Sequence, residues 1–174
     1  MNRGRLGRVH RPPADAVVAL RSLGRRWRAL FAGLGEDESP DELAHRVGGD
    51  GRSALDHALH ATRTISLLGR AVEQALVDDD AVLHPAVGDP SQRAWEGQEA
   101  GTVDAAMAEL AHEAERLADR IDRVTADEWR RRARVAGQDA DVGAMEILWD
   151  AVDTAVADLK GAEATLREVR GRPV

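Results

Sequence analysis

His57 and His60 are the residues whose type and spacing best suit chemistry in this sequence. Three positions apart on a helical segment, they place two imidazoles on neighbouring positions of one helix. Imidazole can ligate a divalent cation, move a proton near neutral pH or hold a polar ligand. His60 sits beside the apolar stripe of its segment, and helical bundles build ligand and metal sites from such flanking positions. The plainer alternative is a polar residue near the core that only satisfies its own hydrogen bonds, and the spacing leaves both open. The other histidines read as surface residues: His10 in a tail, His45 and His84 in connections, His112 on the polar face of a helix. The chain has no Cys, which removes a disulfide framework, a thiolate zinc site and a Cys nucleophile. A thiol could still enter as substrate or cofactor. There is no Gly-rich phosphate loop, nucleophile elbow or H-E-x-x-H pair.

The segments that must position these residues have helical periodicity. Leu20, Leu23, Trp27, Leu30/Phe31 and Leu34 recur at spacings of three and four after Pro12-Pro13. Leu55, Leu59, Thr62, Ile65, Leu68 and Val72 form a second stripe behind Ser53, a good N-cap. Met107, Leu110, Ala114, Leu117, Ile121 and Val124 form a third, and Met145, Leu148, Val152, Val156, Leu159, Ala162, Leu166 and Val169 a fourth. Capping boxes are expected at Ser39–Glu42 and Thr125–Glu128. Gly35, Gly97 and Gly171 read as breaks or helix ends. Four stripes and no strand pattern predict an all-α, antiparallel four-helix bundle, with helices near 14–34, 53–77, 102–124 and 142–170. Residues 1–12 read as a basic tail and 13–174 as one domain. Leu20, Leu23, Leu55, Leu59, Ile65, Leu110, Leu117, Ile121, Leu148, Val152 and Leu159 are the expected core. The connection between the second and third helices is too long for a tight turn.

Composition narrows the class. A chain of 174 residues with 43% hydrophobic residues and a net charge of −7 reads as globular. Its acidity argues against a nucleic-acid partner, and four Trp, one Phe and no Tyr leave little for base stacking. The clusters Arg3/Arg5/Arg8 and Arg130/Arg131/Arg132/Arg134 are short enough to be solvated. No apolar run approaches the roughly 20 residues of a membrane helix, and no apolar region follows the basic N-terminus as in a signal peptide. A cytoplasmic protein without a membrane partner is expected.

Three stretches carry a family resemblance. Arg52-Ser53-Ala54-Leu55-Asp56-His57-Ala58-Leu59-His60 resembles the start of the second helix in the DinB-like superfamily, which includes the N-terminal domain of mycothiol-dependent maleylpyruvate isomerase. Ile121 to Trp129 is similar to the family's stretch between helices three and four, and Leu159 to Gly171 to the end of helix four. The resemblance implies a divalent cation, zinc or nickel, on three His ligands. His60 falls on one of them. Aligned through Leu159, the other two positions hold Asp153 and Ala157, so the site would be one ligand short, with His57, Asp56 or Asp150 as a third donor. His60 and Asp153 are then expected to face each other across helices two and four. Arg52 replaces the family's usual aromatic, and Arg63 falls where the family often has Asp. Enzymes of the family use the metal to activate a thiol or water. Two functions follow from the resemblance. One is a divergent DinB-like protein with a degraded metal site, acting as a binding or structural module and as a homodimer. The other is a transferase or isomerase dependent on a metal and on a low-molecular-weight thiol. The Arg-rich, Ala-rich composition suggests an actinobacterial host, and hence mycothiol.

Overall fold

Pro13 suits a first helical position because its missing N–H would have no helical partner there. It opens helix α1, Pro13–Ala32, in a computed structural model describing residues 11–34, 39–93, 101–139 and 141–170. The tail with Arg3, Arg5, Arg8 and His10, and the breaks at Gly35, Gly97 and Gly171, lie outside the described residues. α2, Pro40–His45, is one short turn. Ser39 makes no capping hydrogen bond there, contrary to the capping box expected with Glu42. Asp41 instead accepts from the Val103 N–H at 2.7 Å, tying this turn to the start of a later helix.

α3, Ala54–Val77, begins at the N-cap expected of Ser53, which forms a reciprocal box with Asp56. The Asp56 N–H donates to the Ser53 hydroxyl (3.1 Å), and the Ser53 N–H donates to the Asp56 carboxylate (2.8 Å). The long connection then forms strand β1, Val82–Leu83, helix α4, Pro85–Gly88, and a 3-10 turn at Pro90–Gln92. α5, Val103–Ile121, is capped by Thr102. A 3-10 turn at Glu128–Arg130 follows, with the expected Thr125–Glu128 box. Strands β2, Arg132–Val135, and β3, Asp141–Gly143, lead into α6, Ala144–Arg170.

The four long helices make the bundle. α3 packs against α6 and α5, and α1 packs against α5 and α6. The helices consecutive in sequence, α1 with α3 and α5 with α6, therefore stand across the diagonals. α1 and α5 approach so closely that a Cβ on Gly24 would lie 2.9 Å from that of Ala111. The expected core residues are buried except Leu59, which is half-buried. α3 is turned so that His57, His60 and Thr64 lie on its buried side instead.

A three-stranded sheet corrects the expectation of no strands. β1 pairs parallel with β2 (Val82 opposite Arg134) and β2 antiparallel with β3 (Ala133 opposite Val142). In β2 exposure alternates, with Ala133 and Val135 buried and Arg132 and Arg134 outside. This period of two is masked in the sequence because the strand is only four residues long and begins inside an Arg cluster. Gly137, at φ +78°, makes the turn into β3, a backbone state that glycine adopts without Cβ strain.

Candidate functional site

The capped first turn of α3 delivers His57 and then His60 to the interface with α6. Both are buried, and both meet one carboxylate, Asp158, itself 5% exposed. His60 Nδ1 lies 2.8 Å from Asp158 Oδ2. Because an ionised carboxylate only accepts, Nδ1 is the donor. His57 Nδ1 lies 3.6 Å from the other oxygen, Oδ1, within electrostatic but not hydrogen-bonding reach. On its far side His57 Nε2 lies 3.5 Å from Asp50, in the loop before α3. The imidazole of His57 fits here because α6 has no side chain at Gly161. A Cβ there would fall 2.8 and 2.9 Å from the two ring nitrogens.

His60 and His57 are thus brought together as their spacing implied, but Asp153 does not join them. It is an exposed residue in a bidentate pair with Arg11 at 2.6 and 2.7 Å. Arg11 stacks over the Trp149 ring at 3.7 Å, and its carbonyl accepts from the Trp149 indole. The Asp153 carboxylate raises the Arg11 guanidinium above its ordinary value, against a smaller opposing effect of burial. Asp153 therefore anchors the segment before α1. Ala157 is exposed as well. One residue of register on an α-helix is about 100° of rotation, so alignment through Leu159 placed the pair on the wrong side of α6. Read one residue later, the same i, i+4 spacing falls on Thr154 and Asp158.

Asp158 carried a signal of its own. Ala144, Leu148, Ala151, Ala155, Asp158, Ala162, Thr165 and Val169 form an unbroken three-four ladder, all buried. A single carboxylate inside such a ladder must find a partner, since a buried charge without one is costly.

His60 also lines a cleft of about 310 Å³ between α3 and the connection after it. The α3 wall includes Arg63, Thr64 and Arg70; the opposite wall includes His84 and Arg93, with Glu109 of α5 at the edge. Arg93 is buried and fixed: it donates to the carbonyls of Ala86 (2.9 Å) and Val87 (3.0 Å) and pairs with Asp150. The turn before it is pinned by Asp89, whose carboxyl is held below its ordinary value chiefly by the Ser91 hydroxyl, then by Gln92 and the Ser91 N–H. His84 Nδ1 accepts from the Ala86 N–H at 3.1 Å, so the neutral ring carries its proton on Nε2 and offers a donor. The long connection thus builds the second wall of the cleft.

These donors do not suit the cation implied by the resemblance. Among the described residues no group of three or more His, Cys, Asp or Glu side chains is placed to hold a metal ion. Asp158 gives one oxygen to His60 and has His57 at 3.6 Å from the other, and His84 in this tautomer has no lone pair at Nε2. Asp56 is occupied by the Ser53 cap, and Asp150 by Arg93. Among the described residues no helix is long and apolar enough to cross a membrane.

The structure is similar to that of YfiT from Bacillus subtilis, described as a probable metal-dependent hydrolase with an unusual four-helix bundle topology. The likeness has a TM-score of 0.73 at 9% sequence identity and covers 97% of this chain and 94% of that one. The chain therefore has the four-helix bundle fold of that protein, the architecture its sequence predicted. No protein-family model matches the chain, and no curated protein matches it.

Proposed function

We propose that this chain is a divergent DinB-like bundle whose metal position has become a metal-free binding site, with His60 as the polar anchor of the adjoining cleft. The observation that carries this reading is the closure of His57, Asp158 and His60 on one another. A divalent cation needs donor atoms converging on a vacant point, with three protein ligands the norm for a catalytic zinc. Here the donors converge on each other instead. The cleft beside them is of the size that takes a small ligand, and Asp158 fixes the tautomer and orientation of the ring facing it.

The test is metal analysis of protein purified without a His tag and dialysed against zinc and nickel buffers. Less than about 0.1 equivalent of either metal is expected. A full equivalent, lost on His60→Ala, would overturn the reading in favour of a second one: a metal- and thiol-dependent transferase or isomerase. One observation favours that alternative. Metal-bound histidines commonly donate their other ring nitrogen to a carboxylate, as His60 donates to Asp158. On that reading mycothiol, or another low-molecular-weight thiol, would be consumed with an electrophilic substrate only by the metal-loaded protein.

A further inference from the structure

The cleft beside His60 concentrates positive charge in an acidic protein. Arg63 and Arg70 lie seven residues apart on α3, two turns and about 10 Å along the helix axis, and so on nearly the same face. Arg93 faces them from the other wall, with its own charge met by Asp150. Among the described residues, Glu109 is the one acidic side chain in the lining. Arg70 uses its Nε to donate to the Ser66 carbonyl at 3.2 Å, which leaves four of the five guanidinium donors. His84 adds the Nε2–H fixed by its capping bond.

A second observation is independent of charge. Thr64 lines the same cleft and is 1% exposed, yet its hydroxyl has no hydrogen-bond partner. A threonine in mid-helix ordinarily bonds back to the carbonyl four residues before it, as Thr62 does to Ala58 at 2.9 Å. Burying an unpaired hydroxyl is unfavourable unless something supplies the missing partner. A ligand oxygen in the cleft would do so.

We infer that the cleft between α3 and the 84–93 connection binds a small organic or inorganic anion, carboxylate or phosphate, held by the Arg70 and Arg63 guanidinium groups with one oxygen accepting from the Thr64 hydroxyl. This deepens the reading of the cleft as a metal-free binding site and rests on it. Guanidinium suits such ligands because its forked donors match the spacing of two carboxylate or phosphate oxygens.

Calorimetric titration of the full, untagged chain tests this with succinate, inorganic phosphate and pyrophosphate, and with succinamide as the uncharged counterpart of succinate. At least one anion should bind with a Kd of about 1 mM or tighter, and weaken as salt is raised from about 20 to about 200 mM, which shortens the Debye length about threefold. Succinate against the two phosphates separates the ligand's sources. Arg70→Gln, at an exposed position that folding does not depend on, should weaken binding at least about tenfold. Thr64→Val removes a hydroxyl the free protein leaves unpaired, so it should weaken binding without lowering the melting temperature. Equal binding by wild type and Arg70→Gln would overturn the inference. So would succinamide binding as tightly as succinate, although the cleft would then stand as a ligand site. No binding by any of the four would overturn the anion and remove the support for the cleft together.

Discussion

Replacing Gly161 by alanine sets two opposed effects against each other. In an exposed helix the change stabilises by about 0.5–1 kcal/mol, because glycine loses more backbone freedom on folding. In α6 the new methyl would lie 2.8 Å from Nδ1 and 2.9 Å from Nε2 of His57, and nearer still to Cε1. Ordinary contact is about 3.5–4 Å, so the ring must retreat by about 1 Å. It has little room, being 5% exposed between Asp158 on one side and Asp50 on the other. Overpacking of this kind costs about 1–3 kcal/mol, so the net expectation is a loss of about 1–2 kcal/mol. For a chain of this length that is a fall in Tm of about 2–8 °C, measurable by thermal unfolding followed by circular dichroism. The decisive arm is the His57→Ala background. With no ring to displace, Gly161→Ala should now stabilise by about 0.5–1 kcal/mol, reversing its sign. The two sites are in contact, so a coupling term is expected. If Gly161→Ala raises Tm in the wild-type chain, or lowers it equally in both backgrounds, the packing of His57 against α6 is not as described.

Two further substitutions probe the same framework. Asp158→Ala should destabilise by about 1–3 kcal/mol, since His60 loses the acceptor of its buried Nδ1–H, whereas Asp153→Ala should cost less than about 1 kcal/mol because its pair with Arg11 is exposed; equal effects in urea unfolding would reject the distinction between them. Leu117→Ala, at a fully buried position on α5, should cost about 2–5 kcal/mol, and a loss below about 0.5 kcal/mol would mean that the third stripe does not face the core.

What the sequence made legible is what depends on local periodicity. Leu110, Leu117 and Ile121 recur at spacings that have no other economical reading, and all three are buried. Ser53 was legible as a cap because its partner lies three residues away. The sheet was not, because β1 meets β2 across some fifty residues and each strand has only two to four; no window of sequence contains such a pairing. Asp158 lay between these cases. Its ladder of small residues is periodic, but a stripe drawn through the large residues Val152, Val156 and Leu159 runs beside it and leads to Asp153 instead. The cleft was beyond local reading altogether, since Arg63 and Arg93 belong to elements that only the folded connection brings together.

The arrangement of charge on the two facing helices gives the separate observations one physical sense. A cation site needs negative or lone-pair donors on both helices and room between them. Here α6 supplies one buried carboxylate, and α3 answers it with two imidazoles, so the interior requirement is met within the protein. On the proposed reading nothing positive is then needed from solution at that point. One turn further along α3 the lining changes: Arg63 and Arg70 join Arg93 about the cleft, with Glu109 as the one acidic side chain among the described lining residues. On the proposed reading an anion is the ligand that such a lining favours. On the proposed reading, Asp158 both closes the old position against metal and, through the His60 Nδ1–H, fixes the ring that borders the cleft. Closure of the cation position and opening of an anion position would then be two consequences of one carboxylate on α6.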